Sequence, residues 1–121
     1  MITNMPITIE EGVACEAAQL IEGVNEVLSG KNQNDLQQVI NGESKIGSGL
    51  EYLSEISLRF GCVREGNSLY GIALRYLAGD TVALNDLARE AEEIKSDPYR
   101  LADKSKINGS SYDFERHKII L

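Results

Sequence analysis

The stretch NSLYGIALRYLAGDTVALNDLAREAEEIKSD, residues 67–97, decides the predicted fold because it holds two helical patterns separated by a break. Gly79 tolerates the left-handed conformation that is common just after a helix. Asp80 can cap the next helix by accepting hydrogen bonds from its first free N–H groups. The proline that follows the second pattern disfavours helical geometry at the residue before it. We therefore expect an antiparallel pair of helices over residues 68–78 and 81–95.

The two predicted helices differ in how their apolar residues are distributed. In the second helix the apolar residues share one face and the charged residues share the other, which is typical of a surface helix. The first helix is apolar over more than half of its circumference, a pattern typical of a buried helix. We expect it to be central, with the helical pair as the centre of the fold. Its apolar residues are Leu69, Tyr70, Ile72, Ala73, Leu74, Tyr76, Leu77 and Ala78.

The N-terminal part of the chain predicts another amphipathic helix. Thr8 and Glu11 have the spacing of a capping box, which places the start of the helix there, and Gly30 marks its end. Gly12 and Gly23 fall on its polar side, where each costs about 1 kcal/mol relative to alanine. The polar face has two interpretations: a solvated surface, or a flat acidic surface that a partner approaches closely. This face carries Glu11, Cys15, Glu16, Gln19, Glu22 and Glu26.

The middle of the chain predicts two further helices rather than one. A short helix starts at Asn34 or Asp35 and ends at the Asn41-Gly42 pair, which is a turn signal. Residues 46–49 are flexible by composition, and Ser48 with Glu51 forms a second capping box. The helix that begins there is expected to end at Gly61.

The whole chain predicts a single all-α domain, a small bundle of four to five helices around the central pair at residues 68–95. We expect a loose N-terminus over residues 1–7, a helical body over residues 8–97 and a C-terminal arm over residues 98–121. The arm ends in apolar residues and can form a short strand. It has two interpretations, an arm held against its own domain or a mobile docking peptide.

Charge is distributed unevenly along the chain. The net charge is −7, and residues 98–121 hold five basic and three acidic residues, a net +2, so residues 1–97 carry −9. Nucleic-acid binding proteins carry the opposite, basic footprint. The sequence therefore predicts no direct binding to nucleic acid and favours a basic protein as partner.

The sequence predicts no catalytic residue, cofactor site or metal site. His117 is the single histidine, so it predicts a solvated side chain rather than a metal ligand. The glycines of residues 46–49 lack the Gly-x-x-x-x-Gly-Lys-Ser/Thr pattern of a phosphate-binding loop. Cys15 and Cys62 have no metal-ligand spacing and are expected to be free thiols.

These features favour a non-catalytic, acidic protein-binding module that neutralises, inhibits or chaperones a basic protein. Immunity proteins, inhibitors and small chaperones all have this physical character. One alternative is a nucleic-acid mimic, although lysines and arginines interrupt its acidic pattern; another is a small enzyme whose site the sequence does not reveal. No secretory signal or membrane-spanning run is visible, so we expect a cytoplasmic protein without membrane contact.

The acidic residues also predict where a partner binds. The polar face of the N-terminal helix is the first choice, because it combines acidic residues with no basic one over residues 1–30. The outer face of the helix at residues 81–95 is the alternative. The predicted partner-binding residues are Glu11, Glu16, Gln19, Glu22 and Glu26 on the first face, and Glu90, Glu92 and Glu93 on the second.

Overall fold

The structure, a computed structural model, describes residues 6–121 and consists of helices with a small sheet. None of the helices in this range is long and apolar enough to cross a membrane. The strands are β1 (Ile7–Thr8), β2 (Ser111–Asp113) and β3 (Lys118–Ile120). The helices are α1 (Ile9–Asn32), α2 (Leu36–Phe60), α3 (Val63–Leu77), α4 (Ala83–Ser96) and α5 (Lys104–Ile107), with a 3-10 turn at Pro98–Arg100.

The four long helices form an antiparallel bundle in which each packs against the next along the chain and α4 packs back on α1. Gly66, near the start of α3, lies against Ser57, near the end of α2. At the other end of α3, the Tyr76 hydroxyl donates a hydrogen bond to Glu43 of α2 over 2.7 Å. The predicted all-α bundle with a short C-terminal strand is confirmed.

The helix that was expected to be central and buried, α3, lies at the edge of the bundle, so that prediction was wrong. Ten of the 24 residues of α1 are buried, whereas only Gly66 and Leu69 are buried among the 15 residues of α3. The reason is that α1 and α2 pack most extensively on each other, and α4 covers the other side of α1. Only one side of α3 then faces the core, although apolar residues lie on two sides of this helix.

The middle of the chain is one continuous helix, α2, and not the two helices predicted. Its glycines do not interrupt it, because they are sites of close contact with α1. A β-carbon built on Gly42 would lie 2.6 Å from the carbonyl oxygen of Gly23, and one built on Gly49 would lie 3.0 Å from Leu20. Gly23, predicted on the polar side of the first helix, is therefore buried in this crossing.

Most of the predicted helix ends are confirmed, because local chemistry sets them. The Thr8 side chain accepts from the Glu11 N–H over 3.1 Å, and the Glu11 carboxylate accepts from the Thr8 N–H, which completes the capping box. Gly61 and Gly79 have left-handed φ values of 100° and 97° after α2 and α3. The boundaries that differ by two or more residues are the end of α1, two residues after Gly30, the start of α3, five residues before Ser68, and the start of α4, two residues after Thr81. The Asp80 side chain accepts from the Val82 N–H over 2.9 Å, but Val82 and not Asp80 is the capping residue of α4.

The C-terminal arm is held against its own domain. Strand β2 pairs antiparallel with both β1 and β3, with Ile7 opposite Tyr112 and Ser111 opposite Ile120. The expected loose N-terminus is thus fixed from Ile7 onwards, while residues 1–5 lie outside the described residues. The sheet covers α1, where Tyr112 is fully buried.

Candidate functional site

A buried polar cluster joins the C-terminal sheet to α1 and α2. The Glu16 carboxylate accepts a hydrogen bond from the Tyr112 hydroxyl, and the same oxygen lies 2.8 Å from Nδ1 of His117. The His117 ring stacks on Tyr52 with their centroids 4.6 Å apart. These four residues, Glu16, Tyr52, Tyr112 and His117, are called the Glu16 cluster below.

Two backbone features position the Glu16 cluster. Gly12 lies one helical turn before Glu16, and a β-carbon there would lie 2.5 Å from the ring of Tyr112. Only glycine therefore lets β2 approach α1 closely enough for the tyrosine hydroxyl to reach Glu16. His117 has a left-handed φ of 52° just before β3, and its ring contacts Tyr52 of α2.

Burial controls the electrostatics of the cluster. Burial raises the pKa of Glu16 above its usual range, while the hydrogen bonds from Tyr112 and His117 oppose this rise. Burial also raises the pKa of Tyr112, and the neighbouring Glu16 raises it further. Glu16 and Tyr112 are fully buried, whereas His117 and Tyr52 are partly exposed, so solvent reaches the cluster only at its His117–Tyr52 edge.

The cluster overturns two predictions from the sequence. Glu16 was expected on the exposed face of the first helix and is fully buried, and His117 was expected to be solvated but is stacked and bonded. The reason is that the sheet covers this part of α1. The available signal was Gly12, because a glycine lets another element approach a helix closely.

We expect replacement of Glu16 by glutamine to change how stability depends on pH. A pKa raised above the ordinary 4.5 means that the folded state holds this proton more tightly than the unfolded state. Glu16 therefore contributes stability that is lost as pH rises through its folded pKa. The Glu16→Gln variant cannot ionise there, so its stability relative to the native chain should increase as pH rises above about 4.5.

Urea unfolding of both proteins over a pH series measures this difference. Glutamine keeps the size of the side chain and a carbonyl acceptor for Tyr112, which makes it a conservative test. Parallel stability curves at every pH would contradict a raised pKa for Glu16.

The remaining residues of the first predicted binding face are present at the surface, but several have partners within the chain. Glu22 and Glu26 both bind Nζ of Lys45 on α2, over 2.8 and 2.7 Å. Glu11 is engaged in the capping box, and Gln19 is half-buried. The structure thus keeps Glu11, Glu22 and Glu26 accessible to some degree and removes Glu16 from the surface.

The alternative face on α4 is also partly neutralised. Arg100 lies 3.0 Å from Glu90 and 3.5 Å from Glu93, both measured from its Nη2 atom. Glu92 is exposed. Of the three predicted residues on this face, Glu92 is the one that forms no ion pair within the described part of the chain.

The two predicted faces belong to neighbouring helices. Helix α1 has five acidic residues and one basic residue, a net −4, and α4 has four acidic and two basic residues, a net −2. By the same count α2 is −1 and α3 is +1. Because α1 packs on α4 and α2 packs on α3, one half of the bundle carries −6 and the other is neutral. We call these the acidic side (α1 and α4) and the neutral side (α2 and α3).

The neutral side exposes apolar residues along α3. Counting from Val63, residues that alternate by four and three positions lie on one stripe, which is the spacing of a coiled-coil contact face. Leu74 is 64% exposed and Leu77 is 77% exposed, and Val63 and Tyr70 are about 40% exposed. Large apolar stripes of this kind mark surfaces that bind another protein. We call this stripe the α3 seam; its residues are Val63, Asn67, Tyr70, Leu74 and Leu77.

Space remains between α2 and the second half of α3. A cavity of about 220 Å³ lies between them, lined by Ile46, Gly47, Leu50, Ala73 and Tyr76 among others. No atom lies within 4 Å of a β-carbon built on Gly47, so α3 does not close over this part of α2. Helix α3 is therefore less firmly packed than α1.

Comparison with other proteins adds no relative to this picture. The chain matches none of the protein-family models, curated proteins or solved structures with which it was compared.

Proposed function

We propose that this protein is a non-catalytic, cytoplasmic binding module whose acidic side binds a basic surface of another protein and so neutralises, inhibits or chaperones it. The observation that supports this proposal is the segregation of charge in the bundle. Helices α1 and α4 carry a formal net charge of −6, and Glu16 is the one of their acidic residues that is buried, while α2 and α3 together carry no net charge.

Segregated charge has a direct consequence for binding. An acidic surface attracts a basic partner over several ångströms, speeds the encounter and orients the two molecules. The exposed carboxylates on this acidic side include Glu11 and Glu22 of α1 and Glu92 of α4. Because salt screens charges, association through the acidic side should weaken as the salt concentration rises.

The experiment is capture of a partner from the native host, followed by association kinetics with two charge-reversed variants. Glu22→Lys with Glu92→Lys changes the acidic side. Glu51→Lys with Glu65→Lys makes the same change in net charge on the neutral side and is the matched control. The acidic-side variant should slow association by about tenfold or more at low salt, because steering accounts for 10-fold to 1,000-fold of such rates.

The melting temperatures of both variants should stay close to that of the native chain, because exposed ion pairs contribute about 0–1 kcal/mol each. Equal rates for the native chain and the acidic-side variant, or equal slowing by both variants, would contradict binding through the acidic side.

A further inference from the structure

We propose that the α3 seam binds the α3 seam of a second copy of this chain, so that the protein is an antiparallel homodimer. This inference concerns the neutral side of the bundle and does not depend on the proposed function of the acidic side. The proposed dimer would present two acidic sides, one from each chain, and both would face outwards.

The exposed residues of the α3 seam have the spacing of a coiled-coil contact face. Val63, Tyr70 and Leu77 recur every seven residues, and Asn67 and Leu74 lie between them at four-residue and three-residue intervals. These are the two contact positions of a coiled coil, and a single asparagine among them is a common device for fixing how two helices align.

The residues beside the α3 seam are small. Gly71 and Ala78 flank it on one edge and Ala73 on the other, and no atom of the chain lies within 4 Å of a β-carbon built on Gly71. Small flanking residues let a second helix approach closely, which increases the contact between the two backbones.

Charge selects a second copy as the occupant. Two chains of net charge −7 repel each other over most orientations. The neutral side is the surface on which they can meet without net electrostatic repulsion, because α2 and α3 carry no net charge and the α3 seam contains no charged residue. The acidic sides then lie on opposite, outer faces of the pair.

Charge also selects the antiparallel arrangement. Arg64 lies in the first turn of α3, next to the positive end of its own helix dipole. In a parallel pair each Arg64 would also lie beside the positive N-terminal end of the partner's α3, which is unfavourable. In an antiparallel pair each lies near the negative C-terminal end of the partner's helix, beyond which Asp80 follows.

Sedimentation equilibrium on the full chain tests the dimer. The native chain should have twice the monomer mass, and Leu74→Glu with Leu77→Glu should halve that mass. Both leucines are largely exposed in the single chain, so the variant should keep its helical circular dichroism. Leu36→Glu is the matched control, since Leu36 is a 72% exposed leucine in the first turn of α2, outside the α3 seam, and its replacement should leave the dimer intact.

Crosslinking tests the orientation in a Cys15→Ser, Cys62→Ser background with a short bis-maleimide. Gly71→Cys lies near the middle of α3 and should link to itself in an antiparallel pair, whereas Arg64→Cys, seven residues earlier on the same edge, should not. Equal linking at both positions would overturn the antiparallel arrangement. A native chain that is monomeric at all concentrations, or a dimer that survives the double leucine variant, would overturn the proposal; capture of another protein through the seam of a monomeric chain would assign it to that protein instead.

Discussion

Replacing Gly42 with alanine is expected to destabilise the protein by about 2–3 kcal/mol, in the range measured for overpacked cores. A β-carbon at Gly42 would lie 2.6 Å from the carbonyl oxygen of Gly23 and 2.8 Å from the backbone nitrogen of Val27. Both are backbone atoms of α1, so neither can move aside as a flexible side chain could. The helices must separate, and separation loosens the contacts of every buried residue between them. Urea unfolding measures the change.

The same helix offers a control at Gly47. No atom lies within 4 Å of a β-carbon built there, and Gly47 is exposed. Gly47→Ala should therefore stabilise the protein by up to about 1 kcal/mol, the usual difference between these residues within a helix. Two variants with one added methyl group on one helix should thus change stability in opposite directions. Similar changes in both would show that the contact between α1 and α2 is not close at Gly42.

Replacing Tyr112 with alanine is expected to cost about 4 kcal/mol, as is typical of removing a fully buried aromatic ring. The ring fills the space above Gly12 on α1, and its hydroxyl donates to Glu16. The variant loses both, and the C-terminal sheet loses its central contact with the bundle. Chemical unfolding of Tyr112→Ala should show this loss together with faster proteolysis after Ile107, where the sheet segment begins.

Tyr112→Phe separates the contribution of the ring from that of the hydroxyl. It should cost about 1–3 kcal/mol, the penalty for leaving the buried Glu16 carboxylate without this donor. Tyr99→Phe is the matched control, because it also breaks a tyrosine–glutamate hydrogen bond, from Tyr99 to Glu10 over 2.8 Å, but at an exposed site. The control should cost well under about 1 kcal/mol, as exposed polar contacts do. Equal costs for the two variants would contradict a buried role for Tyr112.

Local chemistry made a large part of the fold predictable from the sequence. The Thr8 capping box, the glycines after α2 and α3 and the proline after α4 act within a few residues of themselves, so their effects can be read without knowing the fold. The antiparallel pair of α3 and α4 follows from the short link between them. These elements were placed within a few residues of their positions in the structure.

The predictions that were wrong depend on contacts between distant parts of the chain. Gly42 has the sequence context of a helix end, but its partner Gly23 lies on another helix. Glu16 lies on the polar side of α1, but Tyr112 from the far end of the chain covers it. Periodicity shows which faces of a helix are apolar and cannot show which of two apolar faces the chain itself covers.

This limit of periodicity explains why α3 was wrongly predicted to be buried. The helix was predicted to be buried because it is apolar on two sides, and the chain buries one of them. The exposed side is the α3 seam. The apolar residues on the second side of α3, which led to the wrong prediction, therefore indicate a surface that another molecule covers.

Amide hydrogen exchange of the native chain at a low and a high protein concentration tests the central claim most directly: α1 and α2 form the core, and α3 presents a face that a second copy covers. The amides of α1 and α2 should exchange most slowly at both concentrations. Those of α3 should exchange faster at the low concentration and slow down at the high one. Protection of α3 equal to that of α1 at the low concentration, or no response of α3 to concentration, would contradict this account.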